Sequence, residues 1–123
     1  MLDASEVLRG RRIMVVEDEM LVAMELESLL AEQGCAVVGP APTADRALAL
    51  LDDGLPDAAI LDVNLNGHTA IPVAAALSAR GVPFLLATGY GNSLQPELKG
   101  APRVDKPVNH EQLVRTLAHL LGG

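Results

Sequence analysis

Short continuous apolar runs alternate with longer amphipathic stretches along this chain. Arg12-Ile-Met-Val-Val-Glu17 is the first run, and its lack of polar alternation predicts a strand covered on both faces. A helix is predicted from about Met20 to Gln33, with Leu21, Val22, Leu26, Leu29 and Leu30 on one stripe and Gly34 at its end. Cys35 to Gly39 reads as a second strand, and Thr43 offers an N-cap for a helix reaching about Leu51. After the turn signal Asp53-Gly54-Leu55-Pro56, Asp57 to Asp62 forms the third run. Asn64, Asn66 and Gly67 mark a loop, and Ala70 to Arg80 reads as a helix with Pro72 tolerated in its first turn.

Val82 to Thr88 is the fourth run. Beyond it the pattern weakens: Gly89, Gly91, Asn92 and Pro96 make the segment up to Gly100 the least helical of the chain, leaving room for a short, frayed helix. Arg103-Val104-Asp105 is a short fifth strand. Asn109 caps a final helix with Leu113, Val114, Leu117, Leu120 and Leu121 on one face. Strand-then-helix units in this succession imply a parallel sheet with right-handed crossovers. The fold expected is α/β, a doubly wound five-stranded parallel sheet of flavodoxin-like (βα)5 type with strand order 2-1-3-4-5. The domain would run from residue 12 to 121, after an N-terminal extension over residues 1–11 and without an output domain.

Composition narrows the function. At 123 residues the chain has room for one ordinary domain, and its only large aromatics are Phe84 and Tyr90. A net charge of −7 speaks against a nucleic-acid surface. The basic cluster Arg9, Arg11 and Arg12 reads as a solvated lead-in to the first strand. Lone Cys35 excludes an internal disulfide and suggests a reduced, buried thiol in a cytoplasmic protein. Neither a membrane span nor a signal-peptide apolar region is present in the sequence, so no membrane partner is expected. His68, His110 and His119 lack metal-ligand spacing and read as surface residues.

The polar residues at strand ends carry the chemistry. In an open α/β sheet, ligands bind beyond the carboxyl ends of the strands at the topological switch point, here between the first and third strands. Glu17 and Asp18 end the first strand, Asp62 the third and Thr88 the fourth, while Lys106 follows the fifth. Converging carboxylates repel and need a cation, and oxygen-only ligands suit Mg²⁺ or Mn²⁺. A carboxylate beside such an ion can also act as a nucleophile and form an aspartyl phosphate. A metal, an ammonium and a hydroxyl together meet the positioning and charge demands of phosphoryl transfer.

At this point the sequence resembles the response-regulator receiver domains of two-component signalling, from about Arg12 to Leu121. The resemblance rests on Val-Val-Glu17-Asp18-Glu19, Leu61-Asp62-Val63-Asn64-Leu65, Ala87-Thr88-Gly89 and Lys106-Pro107, in order at the right strand ends. It implies Asp62 as the phosphoacceptor, loaded by a histidine kinase or a phosphotransfer protein. It implies Mg²⁺ held directly by Asp18, Asp62 and the Asn64 main-chain carbonyl, and by Glu17 through a water. Lys106 would pair first with the carboxylate and then with the phosphoryl oxygens. Thr88 would donate its hydroxyl to the phosphoryl group and start the switch. The Lys106–Pro107 peptide is cis in such domains.

The chain departs from the usual pattern at Arg103, where receivers carry an aromatic residue that turns inward. Phe84-Leu85-Leu86-Ala87-Thr88-Gly89-Tyr90 is instead similar to the F-A-T-G-x-Y motif of single-domain regulators paired with alphaproteobacterial histidine kinases, with leucine at the F position. Tyr90 is then expected to move with Thr88 as part of the switch. The function expected is a signalling switch acting through protein contacts or as a phosphate sink, with no catalysis on an external substrate. It would work as a monomer or weak homodimer toward a downstream protein the sequence does not name. Two other readings are an aspartyl-phosphate phosphotransferase or hydrolase, and an unphosphorylated binding module. Haloacid-dehalogenase-type enzymes need Asp-x-Asp after strand one, and here only Asp18 lies near that point.

Overall fold

The computed structural model describes residues 3–65, 68–89, 96–98 and 100–122. In chain order these form α1 (Ala4–Leu8), β1 (Arg12–Val16), α2 (Met20–Glu32), β2 (Ala36–Ala41), α3 (Ala44–Asp53) and β3 (Ala58–Asp62). There follow β4 (Asn64–Leu65), β5 (His68–Thr69), α4 (Ile71–Ala79), β6 (Phe84–Thr88), a 3-10 turn (Pro96–Leu98), β7 (Arg103–Asp105) and α5 (His110–Leu120). The main sheet is parallel with order β2-β1-β3-β6-β7, which is 2-1-3-4-5 once the small β4–β5 hairpin is set aside.

Helices cover both faces, which explains the unbroken apolar runs. Successive strand residues point to opposite faces. Ile13, Val15, Ala58, Ile60, Leu85 and Val104 therefore pack with α1, α2 and α5. Met14, Val16, Ala59, Leu61 and Leu86 pack with α3 and α4 on the other side. Every residue of β3 is buried. Each fully buried Leu or Ile contributes about 1.5–3 kcal/mol, and this body of apolar contacts offsets the cost of the charges at the strand ends.

Four local features differ from the expectation. The segment ahead of Arg12 folds as α1: Asp3 accepts a hydrogen bond from the Glu6 amide at 2.9 Å, and Val7 and Leu8 are buried in the core against α5. On α2 the buried stripe is Ala23, Leu26, Leu29 and Leu30, whereas Leu21 is 81% exposed, with Met20 and Met24 beside it on the surface. Asn64, read as loop, opens the antiparallel β4–β5 hairpin; Asn66 and Gly67 lie outside the described residues. Cys35 is half-buried rather than buried, its thiol donating to the Leu8 carbonyl at 3.4 Å, and burial raises its pKa.

Strand β2 also runs further than its sequence suggests. A bulge interrupts its pairing with β1 between Met14 and Val16, at a Gly39–Pro40 peptide that is cis. Gly39 has φ +97°, and a Cβ there would stand 2.7 Å from the Ala41 amide nitrogen and 3.1 Å from the Val15 carbonyl oxygen. The bulge carries β2 on to Ala41, whose carbonyl accepts the Glu17 amide at 3.0 Å. A backbone irregularity in β2 thus fixes the first acidic residue of the site.

The basic lead-in is tied down as well. Arg11 Nε donates to the Val7 carbonyl at 3.1 Å, and Arg12 Nη1 to that of Leu55 at 3.0 Å.

Candidate functional site

The carboxyl ends of β1 and β3 deliver the acidic residues. Carboxylate oxygens of Glu17, Asp18 and Asp62 all lie within 4.8 Å of one another. Glu17 is 2% exposed and Asp62 5%. Glu19 is the N-cap residue of α2 and makes no side-chain capping bond, while its amide donates to Glu17 Oε2 at 3.1 Å. Asp62 Oδ1 accepts the Asn64 amide at 3.2 Å, which ties the carboxylate to the start of β4.

Lys106 enters from the turn after β7. Its Nζ lies 3.0 Å from Glu17 Oε1, 3.3 Å from Asp62 Oδ1 and 3.5 Å from Glu19 Oε1. The Lys106 amide bonds the Thr88 carbonyl at 2.7 Å, and the Lys106–Pro107 peptide is cis. Burial lowers the pKa of this ammonium, but contact with Glu17 and the charges of Asp62 and Glu17 outweigh it and raise the pKa overall.

Asp62 moves the other way for a carboxylate. Burial, hydrogen bonding with Asp18 and Glu17, and the Glu17 charge push its pKa up to about 8, against the lesser pull of the Asn64 amide. Three clustered carboxyls with one ammonium therefore retain a proton near neutrality. The donor set also fits a hard divalent cation, being all oxygen and tightly grouped. Glu17 Oε1 adds a second sign: despite its ion pair with Lys106, it is a buried oxygen with no directed hydrogen bond.

Thr88 ends β6 and is 1% exposed. Its hydroxyl donates to Asp105 Oδ1, across the β6–β7 pair, at 3.3 Å. Sequence reasoning missed Asp105, although its place directly beside Thr88 follows from the predicted strands. Tyr90 lies outside the described residues. Of the histidines, His110 Nε2 sits 3.5 Å from Glu25 Oε2 and His119 is exposed. Among the described residues, Glu17, Asp18 and Asp62 form a metal-competent group without any histidine.

Comparison with known proteins agrees with this arrangement. The family model described as the response regulator receiver domain matches residues 13–118. The chain belongs to the response regulator receiver domain family. The solution structure of SdrG from Sphingomonas melonis Fr1 is 41% identical, with a TM-score of 0.82 over 98% of this chain and 99% of that one. The BeF3-activated conformation of SdrG from Pseudomonas melonis Fr1 is 43% identical, with a TM-score of 0.77 over 89% of this chain and 95% of that one. The two-component response regulator PhoP of Pseudomonas aeruginosa is 33% identical over 89% of this chain and 51% of its own length. The chain thus spans about half the length of the curated relatives it matches, from 40% to 51% for PdtaR of Mycobacterium tuberculosis and PhoP. This receiver has no helix among its described residues long and apolar enough to cross a membrane.

Proposed function

We propose that this receiver domain is a phosphorylation-dependent signalling switch in which Asp62 accepts a phosphoryl group from a histidine kinase or a phosphotransfer protein. One observation carries the reading: Glu17, Asp18 and Asp62 gather within 4.8 Å at the switch point, with the Lys106 ammonium 3.3 Å from Asp62. In the step itself, an ionised Asp62 oxygen attacks phosphorus and forms a P–O bond. The P–N bond of the phosphohistidine breaks, and its electron pair stays on the imidazole nitrogen. Lys106 stays protonated throughout and moves its attraction from the carboxylate to the phosphoryl oxygens.

Asp18, Asp62 and the Asn64 main-chain carbonyl would hold Mg²⁺, with Glu17 behind a water. Glu17 suits that rearward place, since its oxygens already face Lys106 and the Glu19 amide. When bound, the ion supplies the positive charge that lets Asp62 ionise and neutralises the phosphoryl oxygens. Thr88 supplies a hydroxyl to the modified site and so links it to β6. The switch works through protein contacts or as a phosphate sink, in the cytoplasm, and promotes only its own phosphorylation and dephosphorylation. That a similar protein, SdrG, has a BeF3-activated conformation supports this reading.

The test is incubation with acetyl phosphate or a phosphorylated histidine kinase, with and without Mg²⁺. Wild type is expected to gain one phosphoryl group by intact mass in Mg²⁺ alone, and Asp62→Asn none. Labelling of Asp62→Asn at the wild-type rate would refute the assignment.

A further inference from the structure

Thr88 has one hydroxyl proton, and in this structure Asp105 takes it. Parallel pairing of Leu86 with Arg103 and of Thr88 with Asp105 sets Thr88, Asp105 and Arg103 on one face of the β6–β7 pair. Both neighbours converge on a single atom: Thr88 Oγ1 lies 3.3 Å and Arg103 Nη2 3.4 Å from Asp105 Oδ1. These contacts are long for hydrogen bonds and correspondingly weak. Burial differs along the row, since Thr88 is 1% exposed while the Arg103 and Asp105 side chains are 44% and 66% exposed. Water is ready to replace any partner that Asp105 loses.

We propose that Asp105 is a positioning residue that holds the Thr88 hydroxyl away from the phosphoryl site, and that Arg103 sets how firmly it holds. The inference rests on the function proposed above. One proton cannot serve Asp105 and a phosphoryl oxygen together, so engagement of Thr88 at Asp62 requires release from Asp105. Arg103 competes with Thr88 for the same carboxylate oxygen and weakens the restraint. The pair thereby tunes the threshold of the switch without touching the phosphoryl group.

Beryllofluoride with Mg²⁺ is the probe, titrated into the protein while NMR spectra or fluorescence report the activated fraction. Asp105→Ala is expected to bind it roughly two- to fivefold more tightly than wild type, the range of one weak hydrogen bond. Arg103→Ala is expected to move affinity the opposite way, because Oδ1 is then left to Thr88 alone. In a Thr88→Val background, Asp105→Ala should change nothing, which separates the restraint from a general loss of negative charge. Asp105→Asn, which keeps the shape and an acceptor, serves as a second variant and should fall between wild type and alanine. Unchanged or weaker binding by Asp105→Ala, the same gain in the Thr88→Val background, or tighter binding by Arg103→Ala would each overturn the restraint. A wild type that binds no beryllofluoride would instead overturn the proposed function.

Discussion

The two flanks of Asp62 are built from different materials. On one flank stand Glu17, Asp18 and Lys106, mostly buried, with the ammonium 3.0 Å from Glu17 and 3.3 Å from Asp62 and the three carboxyls within 4.8 Å of one another. On the β7 side stand Thr88, Asp105 and Arg103, joined by contacts of 3.3 and 3.4 Å whose outer members face water. Buried charges are strongly coupled and expensive to separate, whereas exposed polar contacts exchange easily with solvent. The first flank is suited to hold ligands in one geometry, and the second to rearrange around them.

Variants can break or sharpen this contrast. The largest effect is expected from Asp62→Asn, which should cut acetyl phosphate labelling by more than about a hundredfold because the nucleophile is gone. Lys106→Met removes the ammonium that pairs with the buried Glu17 and Asp62 carboxyls. It should destabilise the ion-free protein by about 3 kcal/mol in urea melts. A cost near zero would mean that the flank is less tightly coupled than its distances suggest.

The same flank predicts a pH dependence. The Asp62 carboxyl is raised from an ordinary 3.8 to about 8 in the folded protein, so folding favours its protonated form. That contribution is complete below about pH 4 and is lost as pH rises through about 8. Without divalent ions, thermal stability should fall across this window, and Mg²⁺ should restore more of it at the alkaline end. Asp62→Asn should flatten the profile. A wild-type profile already flat would show that Asp62 ionises freely.

Gly39→Ala tests the backbone that supports Glu17. With φ at +97° and the Ala41 amide in the way, it should cost about 1–3 kcal/mol in stability. On the other flank, Thr88→Val should change the stability of the unphosphorylated protein by less than about 1 kcal/mol, since the bond lost is long. A larger loss there would erase the distinction between the flanks.

The sheet and its acidic centre were legible because apolar runs fix the strands and the strands fix where polar residues emerge. Glu17, Asp18, Asp62, Thr88 and Lys106 all sit at such ends. Helix α1 escaped because Ala4–Leu8 spans little more than one turn, and its burial depends on α5 at the far end of the sequence. Its Asp3 with Glu6 three residues on is nonetheless a recognisable cap signal. Exposure of Leu21 was hidden because the periodicity of α2 admits more than one stripe, and contact with the sheet selects among them. Hairpin β4–β5, with only one pair of residues in each strand, offers too little alternation to be read. Asp105 gave no sign in the sequence beyond ending a short strand, and only the register of β7 on β6 sets it beside Thr88.

Both borders of the sheet bear on how the protein behaves when crowded. Unpaired border strands invite other chains to add on, and open sheets commonly guard against this. Here β2 carries Pro40, which has no amide hydrogen, next to a bulge, and β7 is three residues long with Arg103 and Asp105 exposed. Neither border offers a long flat template for cross-chain strand pairing. The domain can therefore expose Met20, Leu21 and Met24 on a helix without also presenting a sheet that grows into aggregates.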